Sequence, residues 1–191
     1  GAASLPFESG QALGLDMPVL LSVGYLFGPV VAGATAFVAY VDARELRGEI
    51  PLVRALFNRA QTSLSVMAAT AVFGVVVSGG DGWPIAVVAA FLAVGTDCLV
   101  NYGTVVAVLC LHERITPWDG LSRLYFGSLP EFALTYASFG LLSLMLAEIY
   151  KSVGAWSLAV FVIPVLLARQ AFAGHKRLAS AARRLDTQAE A

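Results

Sequence analysis

The chain has 191 residues, of which 58% are hydrophobic and only 13% charged, with a formal net charge of −1. A soluble domain carries about 25% charged residues, so these values argue against a disordered chain and against a water-soluble globule with an ordinary surface. The near-zero charge offers no electrostatic footprint for nucleic acid. Mean hydropathy of +0.77 places the chain in a bilayer.

In chain order, Leu5 to Asp16 alternates weakly and is rich in turn residues, which predicts a short extracellular hairpin or cap over residues 1–16. Asp16-Met17-Pro18 reads as a helix start. Five apolar stretches follow at the length needed to cross a bilayer: Met17–Val41, Ala55–Ser78, Pro84–Leu111, Leu129–Ile149 and Ala155–Phe172. The first is interrupted by Gly28-Pro29, where proline removes a donor and clashes with the preceding turn, giving a kink or a cavity-lining break. The expected fold is therefore an all-α membrane protein with a five-helix transmembrane bundle over residues 17–172. Residues 173–191 would form a cytoplasmic juxtamembrane signalling helix. Leu167, Ala171, Gly174, Leu178, Ala181 and Leu185, running from the fifth span into this segment, follow 4-3 spacing, as in a coiled-coil seam that would pair two copies of the chain. The same segment also fits a basic amphipathic helix lying on anionic headgroups.

Eleven of the twelve Lys and Arg residues fall on alternate loops, with Lys151 alone on the other side. The positive-inside rule then puts those loops and the C-terminus in the cytoplasm of a multi-pass plasma-membrane protein, with the N-terminus outside. Gly1-Ala2-Ala3-Ser4 is neither an initiator methionine nor a signal peptide, and an outside start without a basic flank implies that one or more native N-terminal helices precede it. The alternating charges of Asp42 to Glu49 read as a solvated loop with local ion pairs, or as a docking surface for a cytoplasmic partner.

Cys98 and Cys110 lie twelve residues apart in one apolar run, about 18 Å along a helix, too far to bridge. His112-Glu113 lacks the second histidine of a zinc-protease helix, and no phosphate loop, dinucleotide fingerprint or nucleophile elbow is present. No enzyme activity, cofactor or metal site is expected. The informative residues are polar groups at membrane depth, which are costly there and mark functional sites by default. Asp97 lies near the middle of the third span, with Asn101 one turn on and on the same face. Asn58, Arg59, Gln61 and Ser65 occupy the cytoplasmic half of the second span, with Gln61 at the depth of Asn101. Glu131, Tyr136 and Ser138 lie on the fourth. Three readings of this set stand side by side: cross-helix packing glue, a ligand site, and a proton relay. Arg59 would neutralise Asp97 or Glu131, or reach for lipid headgroups.

Leu15-Asp16-Met17-Pro18-Val19-Leu20 and Tyr25-Leu26-Phe27-Gly28-Pro29-Val30-Val31-Ala32-Gly33 resemble the Asp-containing loop and the Phe-Gly-Pro helix of riboflavin-type S-components, the substrate-binding subunits of energy-coupling-factor vitamin transporters. That resemblance implies six helices and a small-molecule site near the outer face. Ala55-Leu56-Phe57-Asn58-Arg59-Ala60-Gln61, the Asp97/Asn101 span and Leu167-Ala168-Arg169-Gln170-Ala171-Phe172 resemble the N-terminal membrane modules of actinobacterial signalling proteins. There an S-component-like bundle precedes a GGDEF, HD-GYP or histidine-kinase output domain.

The leading expectation is a membrane sensory or ligand-binding module that signals through its last helix, with Pro164 as a hinge, to a cytoplasmic output domain. The alternatives are a substrate-binding transporter subunit and a structural scaffold without a ligand. Besides membrane lipids, the expected ligand is a small apolar or aromatic metabolite. Its candidate contacts are Asp97, Asn101, Gln61, Asn58, Tyr136, Asp16 and Glu131, and an S-component-like site would be an outward pocket under residues 5–16 and beside Gly28-Pro29 with polar contacts from Asp16, Asp97 and Tyr136.

Overall fold

A computed structural model of the protein describes residues 16–41, 45, 47–80, 82–124 and 129–156. Their regular structure is entirely helical: α1 (Asp16–Phe27), α2 (Pro29–Ala39), α3 (Leu52–Ser78), α4 (Trp83–Glu113), α5 (Pro117–Arg123) and α6 (Leu129–Val153). The chain divides into two compact units, Gly1–Ala147 and Glu148–Ala191.

Among the described residues three helices are long and apolar enough to cross a membrane, against the five spans expected of the chain: α3, α4 and α6. They are compatible with a membrane protein and match the second, third and fourth expected spans. The expected fifth span lies almost wholly outside the described residues, as do residues 1–15, the 173–191 segment with its 4-3 seam, and Pro164.

The first expected span is corrected outright. Met17–Val41 does not cross as one helix with a kink; it turns back on itself. Gly28 adopts φ 88 and ψ 169, a conformation open to glycine and closed to residues with a Cβ. Its N–H closes α1 on the Gly24 carbonyl at 2.9 Å, and its own carbonyl accepts the first bond of α2, from Ala32 N–H at 3.2 Å. Pro29 then starts α2 with its φ already set. The two legs pack together, and the Tyr40 side chain at the end of α2 comes up to the Asp16 carboxyl at the start of α1. Legs of 12 and 11 residues are each about 17 Å long, a little over half of the hydrocarbon thickness.

The hairpin lies along α3. Leu20, Ala32 and Ala36 cluster with Val66. Tyr25 stacks on Phe73 with ring centroids 3.7 Å apart, and Ser63 Oγ donates to the Gly33 carbonyl at 2.8 Å. Small residues permit this approach, since a Cβ on Gly24 would meet Thr70 Cγ2 at 2.0 Å. α4 contributes a seam of Ala89, Ala90 and Ala93, all fully buried against Leu21, Ala69 and Phe73. Leu144 of α6 joins the same cluster.

The seven-residue α5 was not foreseen from the sequence. Thr116 caps it, accepting the Asp119 N–H at 3.2 Å, with Pro117 in the first turn. An ion pair between Arg123 and Glu113 ties it back to α4. In the second unit, Lys151 Nζ donates to Glu148 Oε1 at 2.7 Å, and Gly154, at φ 69, follows the end of the helix.

Candidate functional site

Two helix faces build the polar centre. On α3, Gln61, Ser65, Ala69 and Phe73 recur every four residues, and all are buried. On α4, Ala89, Ala93, Asp97 and Asn101 repeat the same spacing. The pairing expected from depth alone is present. Gln61 Nε2 donates to Asn101 Oδ1 at 2.5 Å and lies 3.0 Å from the Asn101 carbonyl. This pair satisfies itself and holds α3 against α4, as cross-helix amides do.

Asp97, one turn away, has no such partner. It is 1% exposed, less than the 9% of Gln61. Ser65 comes up to its carboxyl, yet the Ser65 hydroxyl donates to the Thr62 carbonyl at 3.0 Å, so neither carboxyl oxygen is hydrogen-bonded. The Tyr25 hydroxyl is buried and equally unpartnered. A helix side chain leans toward the N-terminus of its own helix. In the antiparallel α1 and α4 that lean carries Tyr25 and Asp97 toward each other, and the carboxyl acts electrostatically on the phenol. Of the four buried side-chain polar atoms without a partner among the described residues, three belong to Tyr25 and Asp97. Native structures satisfy nearly all such groups, so this concentration needs a reason.

A groove lies between α4 and α6, around the helix from Asp97. It holds about 320 Å³ and is lined by Phe91, Val94, Gly95, Cys98, Phe132, Ala133, Tyr136 and Ala137. At one end the Tyr136 hydroxyl donates to that of Tyr102 at 3.3 Å. Rings of Phe132 and Tyr136 stand 4.5 Å apart. The groove is apolar apart from the Tyr136 hydroxyl and the Cys98 thiol.

The expected site residues therefore separate. Asp97, Asn101 and Gln61 come together, and Tyr136 lies across the groove from Cys98, the neighbour of Asp97. Asn58 and Glu131 are exposed on outer faces and join neither feature. Asp16 sits at the base of the hairpin, beside the Tyr40 side chain. The expected pocket, under the N-terminal segment and beside Gly28-Pro29, would have to span the whole length of α1, because Asp16 and Gly28 stand at opposite ends of it. Arg59 pairs with Glu45, not with Asp97 or Glu131, and its guanidinium lies 6.0 Å from the Phe37 ring centroid. The 42–49 loop does make a local ion pair, Arg47 Nε to Glu49 Oε1 at 2.7 Å.

Sequence reasoning missed Tyr25, Tyr102 and Cys98. Tyr25 follows Leu21 by one turn on the buried side of a short apolar helix, and a lone phenol there was the available signal. Comparison with protein families, curated proteins and solved structures finds no match to this chain.

Proposed function

We propose that the chain is a membrane-embedded sensory module in which a small, partly apolar ligand shifts the helix arrangement, and that the last span passes this shift to a C-terminal cytoplasmic output domain. The observation that supports it is the unpartnered Asp97 at the centre of the helix cluster. The Gln61–Asn101 bond explains itself as packing. Asp97 is buried with neither carboxyl oxygen hydrogen-bonded, a costly placement at membrane depth that supports a functional role.

In this reading α3, α4, α6 and the 155–172 stretch cross the plasma membrane in an S-component-like bundle. The loops bearing Arg47, Arg114 and Arg123 are cytoplasmic, and the α1–α2 hairpin enters and leaves from that same side. This places Asp16 at the cytoplasmic end instead of outside. Cysteines introduced at Gly82 and Ser180 test the orientation in intact cells: external labelling at 82 and none at 180 agrees with it, and external labelling at 180 refutes it.

The ligand reading is tested by a thermal-shift screen of vitamins, lipids and aromatic metabolites on the detergent-solubilised chain. A ligand of the folded state at a hundredfold excess over its dissociation constant stabilises it by about 2.7 kcal/mol. A hit that Asp97→Asn weakens supports the proposal. A flat screen with both proteins favours a scaffold without a ligand.

A further inference from the structure

We infer that α5 is an interfacial helix whose partner is a phospholipid surface: its Trp118–Leu121 face inserts among the headgroups and ester carbonyls where α4 leaves the bilayer. This rests on the reading of α4 as a membrane span and adds a lipid-binding surface to it.

At about 100° per residue, the seven residues of α5 sort into three sides. Pro117, Trp118 and Leu121 form one side, and Asp119, Ser122 and Arg123 form another. Gly120 alone is turned to α4. It is buried, and a Cβ there would meet Val106 Cγ1 at 3.2 Å and Cys110 Sγ at 3.3 Å. The polar side uses its groups locally. Thr116 Oγ1 donates to Asp119 Oδ2 at 2.7 Å, Ser122 Oγ donates to the Asp119 carbonyl at 2.9 Å, and Arg123 pairs with Glu113. The apolar side is bare: Trp118 is 77% exposed, and Leu121 is exposed beside it. A cap, an ion pair and a close glycine contact thus hold an uncovered indole outward. A short amphipathic helix of this kind beside a span is built to lie in the membrane interface.

The level of α5 along α4 decides what covers its apolar side. Contact at Val106 and Cys110 puts α5 about 5–10 Å in from the Glu113 end of α4. At that level α4 itself still presents bare apolar groups, with Val108 exposed and Leu111 82% exposed. A level that suits these side chains is in contact with lipid. The opposite end of α4 carries a second exposed indole, Trp83. From Trp83 to the Val106–Cys110 level the helix rises about 35–40 Å, between the 30 Å of the hydrocarbon layer and the 40–45 Å that include both headgroup layers. Trp83 and Trp118 therefore stand at opposite interfaces, where an indole buries its ring and keeps its N–H wet. Asp119, Ser122 and Arg123 then face water.

The full chain reconstituted in phosphatidylcholine vesicles tests this, with Trp83→Phe and Trp156→Phe leaving Trp118 as the only tryptophan. Its emission is read against three quenchers: phosphatidylcholine brominated near the carbonyl end of its acyl chains, the same lipid brominated near the terminal methyl, and aqueous iodide. Trp118 is expected to lose most emission to the shallow bromines, less to the deep ones and little to iodide. Leu121→Asp, a change at an exposed position, should lift the face toward water, with a red shift, a loss of shallow quenching and a gain of iodide quenching. Leu99→Trp, in a chain whose three native tryptophans are phenylalanine, reads the span itself from an exposed position midway along α4, and the deep bromines should quench it most. Iodide quenching of Trp118 without lipid quenching overturns the inference, and deep quenching of Leu99→Trp then shows that the span still stands. Strongest quenching of Trp118 by the deep bromines overturns the interfacial level. A Trp118 signal that Leu121→Asp leaves unchanged overturns the inserted face. Escape of Leu99→Trp from the deep bromines overturns span and inference together.

Discussion

Replacing Asp97 with asparagine should stabilise the ligand-free protein. The carboxyl is 1% exposed, and both of its oxygens lack a hydrogen-bond donor. A buried polar group left unpaired costs about 1–3 kcal/mol, and more when it carries charge. Asparagine has nearly the same volume, so no cavity opens. Its amide offers an N–H donor to Ser65 Oγ, which comes up to the present carboxyl. The expected gain is about 1–3 kcal/mol, or roughly 3–10 °C in Tm for a chain of this length. Thermal unfolding in detergent, followed by intrinsic fluorescence, reads it directly. Asp97→Ala would not serve, because it adds the loss of packing to the removal of charge. An asparagine variant that melts below the wild type would refute the reasoning, since it would mean that the carboxyl makes stabilising contacts after all.

Two further substitutions test the packing around the site. Gly24→Ala places a Cβ 2.0 Å from Thr70 Cγ2, and the Thr70 hydroxyl is already committed to the Val66 carbonyl at 2.7 Å. Overpacking of about 1–3 kcal/mol follows, and Thr70→Ala should recover part of it in unfolding measurements. A double-mutant cycle of Gln61→Ala and Asn101→Ala should give a coupling of about 0.6 kcal/mol, and no more than about 1.7, as for interhelical bonds inside membranes.

What the sequence revealed here was periodicity and cost. Four-residue spacing put Asp97 with Asn101, and counting rise per residue put Gln61 opposite Asn101; the hydrogen bond between them follows from those two facts. Helices α3, α4 and α6 were legible because each is a continuous apolar run of the right length. The hairpin was not, because Gly28-Pro29 breaks a helix without saying by what angle the chain resumes. Kink and reversal share the same two residues, and the choice is made by tertiary contacts: Gly24 on Thr70, Gly33 under Ser63, Tyr40 on Asp16. Asn58 and Glu131 misled because a polar residue in an apolar run carries no mark of the face it occupies. The Arg59 partner was missed for a related reason. Glu45 is fourteen residues away, in a stretch whose alternating charges suggest local ion pairs or a docking surface and carry no mark of α3 as a partner. The groove had no sequence signal at all, since it arises from the facing of Gly95 and Cys98 by Ala133 and Ala137 across two helices.

The α1–α2 reversal closes the site, because it brings the Tyr25 ring over Phe73 and its hydroxyl toward Asp97. It is tested most directly by cross-linking Asp16→Cys to Tyr40→Cys in a chain whose Cys98 and Cys110 are replaced by serine. In a continuous span the two positions would stand about 36 Å apart, beyond any short bis-maleimide. In the hairpin their side chains come up to each other. The account predicts a rapid intramolecular cross-link in membranes that survives dilution of the protein. Failure to cross-link while both cysteines remain reactive to single maleimides would contradict it.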